Sequence, residues 1–262
     1  MTPDLRNMTA GNGLPACKIC GASTAAFGVV DFNKSCEEIR GLRLPPTGVE
    51  VAYLRCSACG LLFTTAFDDW SQADFQARIY NEGYAAVDPE FEEKRPLDNA
   101  GFVSQWFGAF GKTLSVLDYG AGNGRLAEAL RAAGFTGVTS YDPYSPQFSE
   151  RPRRRANLVT CFETIEHMNE PKAGAADIAG LLHPKGLLLL TTMVQPADIA
   201  RRGMSWWYAG PRNGHVTLHT HASLAALWKP HGLKVVSYGD GTHVAFRVPP
   251  AFARGLLAQP HS

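Results

Sequence analysis

The stretch "TLSVLDYGAGNGRLAEAL" constrains this chain more than any other part of it. A run of apolar residues ends at Asp118, glycines follow at positions 120, 122 and 124, and a helix-forming segment opens at once. Apolar residues before the loop read as a buried strand, and "GRLAEALRAAG" reads as a helix closed by Gly134. Glycines between a strand and a helix let a ligand lie against the backbone, because side chains there would collide with it. A lone GxGxG is weak, but here the flanks on both sides are those the motif requires.

The strand–helix alternation continues. "GVTSYD" and "NLVTCF" read as strands and "PKAGAADIAGLLHPKG" as a helix ending at Pro184. "LLLLTTMV" reads as a buried strand and "ASLAALWKPHG" as a helix ending near Gly232. "LKVVSYG" and "THVAFRV" flank "GDG", a hairpin signal. This order implies an α/β fold with a mostly parallel sheet covered by helices on both faces. Upstream, residues 66–112 are rich in aromatic and acidic residues and read as a helical linker. Within it Phe102, Val103, Trp106, Phe107 and Phe110 fall on one helical face, a core-packing pattern. The expected division is a cysteine-bearing module at 1–65 with a loose tail over 1–15, the linker, an α/β domain at 113–250 and a tail at 251–262.

Two pairs of cysteines mark the first module: Cys17 and Cys20 in "CKIC", Cys56 and Cys59 in "CSAC", each pair followed by glycine. Each C-x2-C turn aims two thiolates to one side, and two such knuckles make the tetrahedral sulfur set that zinc prefers. The 35 residues between the pairs (21–55) exceed the usual spacing of about 15–20 and leave room for a β-hairpin. Cys36 lies alone in that insert and is expected to be an unliganded thiol, with replacement of one of the four ligands as the alternative. Four sulfur ligands leave no position for water, so the expected role is structural.

The 262 residues carry a net charge of +1, which gives no long-range attraction for nucleic acid or an anionic membrane. No run approaches the ~20 apolar residues of a membrane span, and "MTPDLRNMTAGNGLP" has no apolar signal region. A cytoplasmic location is the expectation, and with it reduced cysteines.

Asp142, in "SYDPY", stands at the next strand end, 24 positions after Asp118 (142 − 118). A carboxylate there can accept hydrogen bonds from both hydroxyls of a ribose; an Asp-Pro turn is the plainer alternative. "VLDYGAGNG", "YDPY" and "LVTCFETIEHM" together resemble the class I S-adenosylmethionine (AdoMet) dependent methyltransferases, in the branch with an N-terminal zinc-binding segment. Members of that branch act in sugar, cell-surface or secondary-metabolite biosynthesis. The resemblance covers most of residues 113–248 and implies a Rossmann-like sheet behind a small four-cysteine zinc ribbon. It implies that Gly120, Ala121, Gly122 and Gly124 line the cofactor, that Asp118 orders the loop and reaches the methionine ammonium through water, and that Asp142 holds the ribose. It places Cys161, Phe162 and Glu163 over the cofactor, and Glu166 and His167 at the mouth of the site. The tighter GxGxG spacing suits a nucleoside without a pyrophosphate.

Two departures stand out. Asn157 replaces a frequent acidic residue. Only 14 residues (143–156) separate Asp142 from Asn157, too few for a helix, a strand and their loops. One strand of the usual seven, or its helix, is therefore expected to be missing, leaving Tyr144 or Phe148 as candidate surfaces for adenine.

Methyl transfer from a sulfonium asks the protein to position an acceptor and, where needed, remove its proton. Histidine suits that at neutral pH. His167, beside Glu166, is balanced between a functional and a helix-capping role. His215 in "WWYAGPRNGHVTLHTHASL" matches best the place where family members carry a histidine near the acceptor; His219 and His221 are weaker candidates. The expected acceptor is a small molecule such as a nucleotide-linked sugar. An RNA methyltransferase is the alternative, with Arg151, Arg153, Arg154 and Arg155 on phosphate, though the charge balance and the lack of an Asn-Pro-Pro-Tyr-type motif speak against it. A non-catalytic AdoMet-binding or protein-interaction protein is the third reading.

Overall fold

The computed structural model describes residues 13–259, so most of the expected loose tail and the last three residues of the expected C-terminal tail lie outside the described residues. Ten strands occur among them, in chain order β1 (Thr24–Asp31), β2 (Glu50–Cys56), β3 (Leu62–Phe63), β4 (Ser115–Tyr119), β5 (Gly137–Tyr141), β6 (Ala156–Phe162), β7 (Leu182–Thr191), β8 (Thr217–Leu218), β9 (Lys234–Tyr238) and β10 (Thr242–Phe246). They form two sheets in two compact units.

The first unit comprises, among the described residues, 13–89, 165–172 and 193–227. Its sheet runs β1-β2-β3-β8, with antiparallel pairing throughout. The insert between the cysteine pairs supplies β1 and β2, in register from Thr24↔Cys56 to Asp31↔Glu50. A 3-10 turn, Cys36–Arg40, interrupts the connection between them. β8 comes from far along the chain and pairs Leu62↔Leu218 and Phe63↔Thr217. This division differs from the expected one, in which the cysteine module ended at 65 and the α/β domain held everything from 113 to 250. Residues 193–227 join the cysteine-bearing segment because they complete its core: Ile199, Trp206, Tyr208, Val216 and Leu218 pack with Val51, Tyr53, Leu62 and Phe67. The short helix Gln72–Arg78 is held by a capping box, Ser71 with Asp74.

The second unit comprises, among the described residues, 90–164, 173–192 and 228–259. Its six-stranded sheet has the order β5-β4-β6-β7-β10-β9. β5, β4, β6 and β7 are parallel, and β10 is antiparallel to β7 and β9. The sheet is mixed α/β with a mainly parallel centre, and β5 is its edge. Residues 143–155 form only turns and bends, so no seventh strand follows β5. Leu187 to Leu190 of β7 are fully buried, as expected of a central strand covered on both faces. The helix Lys94–Phe107 belongs to this unit, with Val103 and Phe107 in its core and Phe102 and Trp106 packed against it, while Phe110 is exposed. The helix Pro171–Leu181 stops three residues before Pro184, and β7 begins at once. There Ala156 pairs with Leu182 and Leu158 with Leu187, so "HPKG" bulges out of the ladder. No helix among the described residues is long and apolar enough to cross a membrane.

Candidate functional site

β4 sits between β5 and β6, and all three are parallel, so their carboxyl ends share one edge. The chain leaves β4 toward β5 on one side and returns to β6 on the other. Such a reversal opens a crevice where ligands bind α/β sheets. Tyr119, Tyr141 and Phe162 end these strands, and the glycine loop, Asp142 and Glu163 follow them directly.

The loop has the backbone that the sequence demands. Gly120, Gly122 and Gly124 have φ of 77°, 51° and 78°, the left-handed region that glycine adopts freely. A Cβ on Gly120 would lie 2.5 Å from Thr164 Oγ1, and one on Gly124 2.6 Å from the Phe148 ring. Around Gly122 there is open space within 4 Å, and the residue is exposed. The loop is therefore packed at both ends and open in the middle. The helix Arg125–Ala132 starts from Gly124 and buries Leu126, Ala127 and Leu130.

Asp142 lies against the loop. Its Oδ2 accepts the Gly122 amide at 3.0 Å and its Oδ1 the Tyr144 amide at 2.8 Å. The Asp142 amide donates to Phe148 O at 3.0 Å, which folds the short segment back and brings Phe148 to the helix start. Asp118 is buried beneath. Its Oδ1 accepts from Thr160 Oγ1 at 3.2 Å, whereas Oδ2 has no hydrogen-bond partner among the described residues. Burial pushes its carboxyl up to about 7; the Thr160 hydrogen bond opposes this and the Asp142 charge adds to it. A buried acceptor left open, beside an exposed backbone cradle, fits a ligand that brings a donor or a positive charge.

Glu163 is the only non-glycine residue with positive φ among the described residues, at 45°, with its amide 3.1 Å from Thr191 O. Strain of this kind gathers at functional sites. Cys161 is fully buried and pairs with Leu190, and Phe162 packs against the core.

In the first unit the four cysteines come together. Cys17 Sγ is 3.7 Å from Cys59 Sγ, Cys20 Sγ is 3.4 Å from Cys56 Sγ, and all four sulfurs lie within 4.8 Å of one another. Sulfurs at about 2.3 Å from a tetrahedral zinc are separated by about 3.8 Å, so the set fits that ion. Amides of Ile19, Ala58 and Cys59 approach the sulfurs at 3.4–3.5 Å. Burial raises the Cys17 and Cys59 thiols. At Cys56 burial acts in the same direction, but the Cys59 and Ala58 amides outweigh it and bring the thiol down to about 6. Residues from the distant segment brace the second knuckle: Thr220 Oγ1 donates to Cys59 O at 2.6 Å and Gln195 Nε2 to Gly60 O at 2.9 Å. Cys36 stands outside this set, its Sγ 3.6 Å from His215 Nδ1.

A second group in the same unit joins Glu166, His167 and His215, with one donor atom from each within 4.8 Å of the others. Glu166 and His167 lie on the turn Ile165–His167. That turn is pinned by Val216 N donating to Glu166 O at 2.8 Å and by Thr217 Oγ1 donating to Ile165 O at 3.1 Å. Tyr208 Oη donates to Glu166 Oε1. His215 Nδ1 is 2.8 Å from Tyr208 O, and His167 Nδ1 is 3.1 Å from Gly214 O. A carbonyl only accepts, so a hydrogen bond to it needs hydrogen on Nδ1, and in a neutral ring that tautomer leaves the lone pair on Nε2. Gly214 is required at this point: its φ is 87°, and a Cβ would sit 3.1 Å from His167 Nδ1 and 3.0 Å from Tyr80 Oη. His219 is fully buried between Thr217 and Ser223, and His221 is exposed at a helix start.

The residues that sequence reasoning passed over are supports: Thr160 under Asp118, Thr164 against Gly120 and Tyr80 beside His167. Thr160 and Thr164 lie within "LVTCFETIEHM" and Tyr80 lies in none of the quoted motifs, but only the spatial partner gives each its role.

Residues 91–238 match a family model described as a methyltransferase domain. Among curated proteins, none matches the sequence. Among solved structures, an O-methyltransferase family protein from Burkholderia thailandensis aligns with a TM-score of 0.50 at 17% identity, over 70% of this chain and 64% of that one. This chain thus spans less than two-thirds of that protein's length. A 1,6-didemethyltoxoflavin-N1-methyltransferase from the same organism aligns with a TM-score of 0.47 at 16% identity, over 78% of this chain and 96% of that one. An amino pentose methyltransferase of calicheamicin biosynthesis from Micromonospora echinaspora aligns with a TM-score of 0.43 at 17% identity, over 65% and 98%. At 17% identity the first of these likenesses concerns the fold.

Proposed function

As this chain belongs to the methyltransferase domain family, we propose that it is an AdoMet-dependent enzyme of class I, that AdoMet binds at the 120–124 loop and that its methyl passes to a small-molecule acceptor. The observation that carries this is the glycine loop hydrogen-bonded to Asp142, above the open acceptor on Asp118. When bound, AdoMet supplies a methyl group on a sulfonium, already an electrophile with a good leaving group. The residues of the chain then bind and orient. Asp142, which already accepts two amides, has lone pairs left for the ribose hydroxyls. Gly122 and its neighbours present backbone where a side chain would obstruct. Asp118 Oδ2 receives the methionine ammonium through water. Phe148 and the exposed Tyr144 offer rings for adenine in place of the missing strand. Cys17, Cys20, Cys56 and Cys59 hold a structural zinc.

On the acceptor side we assign Glu166, His167 and His215. The Nδ1–H to carbonyl bonds fix both rings with a basic nitrogen facing away from the backbone, the state a proton-accepting group needs. A small acceptor, such as a nucleotide-linked sugar, is favoured over RNA. The net charge is +1, and two of the four clustered arginines are engaged within the protein: Arg151 with Asp177, Arg155 with Gly180 O.

Incubation with methyl-labelled AdoMet and fractionated acceptors tests the reading. Label should enter low-mass hydroxylated or amino metabolites and fall sharply with His215→Ala, while AdoMet affinity persists. Label entering only RNA would overturn the acceptor class, and unchanged turnover would remove His215 from the site.

A further inference from the structure

We infer that Glu166, His167 and His215 form a binding site for a divalent transition-metal cation, separate from the four-cysteine site. One oxygen and two nitrogens lie within 4.8 Å of one another. Ligands at about 2.0–2.2 Å from one ion are separated by about 3–3.5 Å, so the set closes by at most about 1.3–1.8 Å on loading.

The surroundings of each ligand are those of a metal site. A metal-binding histidine donates its other ring N–H to a carbonyl or carboxylate, which fixes the tautomer and the ring plane. Both histidines do this here: His215 Nδ1 to Tyr208 O at 2.8 Å, His167 Nδ1 to Gly214 O at 3.1 Å. The carboxylate has its own support, since Tyr208 Oη donates to Glu166 Oε1. Tyr208 thus braces two of the three ligands, through its hydroxyl and its carbonyl. Tyr53 Oη donates to His215 O at 2.6 Å and fixes the backbone there. Glu166 and His215 are buried, and His167 is half-buried.

Two imidazoles and one carboxylate are a borderline-to-hard donor set. They suit Zn2+, Fe2+, Co2+, Ni2+ or Mn2+, and not Mg2+ or Ca2+, which take mainly oxygen. Three protein ligands leave coordination positions for water or for two adjacent oxygens of a ligand. A chelating acceptor, such as a vicinal diol or a hydroxy-carbonyl compound, fits that vacancy. In giving the cation this use, the inference rests on the acceptor-side placement of these residues above, with coordination by the two rings in place of proton acceptance; cation binding itself does not rest on it, and it is measured apart from turnover.

The test uses the full-length chain with zinc on the cysteines and weakly held metal removed by brief chelation. Co2+ is then titrated by calorimetry and visible absorption. One further equivalent should bind, with weak d–d bands and without the intense sulfur-to-cobalt charge transfer of a tetrathiolate. Glu166→Gln and His167→Gln should each weaken that equivalent by more than the ~10–100-fold that loss of a supporting group costs. Tyr208→Phe, which removes only a support, should fall within that range. Zinc content and AdoMet binding on the same samples show that each variant is folded. They also separate failure of this site from failure of the methyltransferase reading. Saturation at the cysteine equivalent alone, or a second equivalent that survives both Glu166→Gln and His167→Gln, overturns the inference.

Discussion

Replacing Asp118 by Asn should change how stability depends on pH, and the structure sets both sign and size. In the folded protein the Asp118 carboxyl is raised from the ordinary 3.8 to about 7, because it is buried. The unfolded chain gives up this proton near pH 4, whereas the folded chain keeps it until about pH 7. The folded state therefore binds more protons across that window, and stability falls as pH rises. At 1.36 kcal/mol per pKa unit, the accumulated loss is about 4 kcal/mol by pH 8 and vanishes below pH 4. Asn keeps the shape and can still accept the Thr160 hydroxyl, yet carries no charge. Urea unfolding at pH 5, 6, 7 and 8 should give curves that diverge, the variant gaining steadily and leading by about 2–4 kcal/mol at pH 8. AdoMet adds a second reading. A cation near Asp118 restores the ionised form, so binding at pH 6 should release close to one proton from the wild type and none from Asp118→Asn. Calorimetry in buffers of different ionisation enthalpy measures this. Parallel unfolding curves, or binding without proton release at pH 6, would refute the account of Asp118.

Gly120→Ala should destabilise by about 2–4 kcal/mol in urea, from left-handed backbone and overpacking together, since its Cβ would meet Thr164 Oγ1 at 2.5 Å. Gly122→Ala, with open space around it, should lose only about 1–2 kcal/mol. Equal losses would misplace the crowded end of the loop. Purified protein should carry zinc on the cysteines; Cys56→Ser should abolish that content and the near-UV signature of the tryptophans and tyrosines in the first unit's core. Retention of both would remove the structural zinc.

Much of this architecture is written locally. A strand, three glycines and a helix within eighteen residues announce the loop, and two C-x2-C pairs announce the sulfur set. The 14-residue gap after Asp142 already implies a shortened sheet, since length alone forbids the missing elements. What escaped is long-range. Leu62 and Leu218 are 156 positions apart (218 − 62), in strands of two residues that are too short to show any periodicity. Hence the recruitment of 193–227 into the cysteine-bearing unit has no local signal. The early start of β7 is hidden by Pro184 and Gly186, which read as breakers and instead form a bulge. His215 was a candidate by place in the chain, but its grouping with Glu166 and the bracing by Tyr208 depend on tertiary contacts.

Calorimetry of AdoMet against the wild type and Gly122→Arg addresses the enzyme assignment most directly. The wild type should bind one molecule per chain. The arginine side chain fills the open space over the loop, so affinity should fall by at least ~100-fold with zinc content unchanged and stability lowered only by the ~1–2 kcal/mol of the left-handed backbone. An unaltered dissociation constant in the variant would mean that the cofactor sits elsewhere.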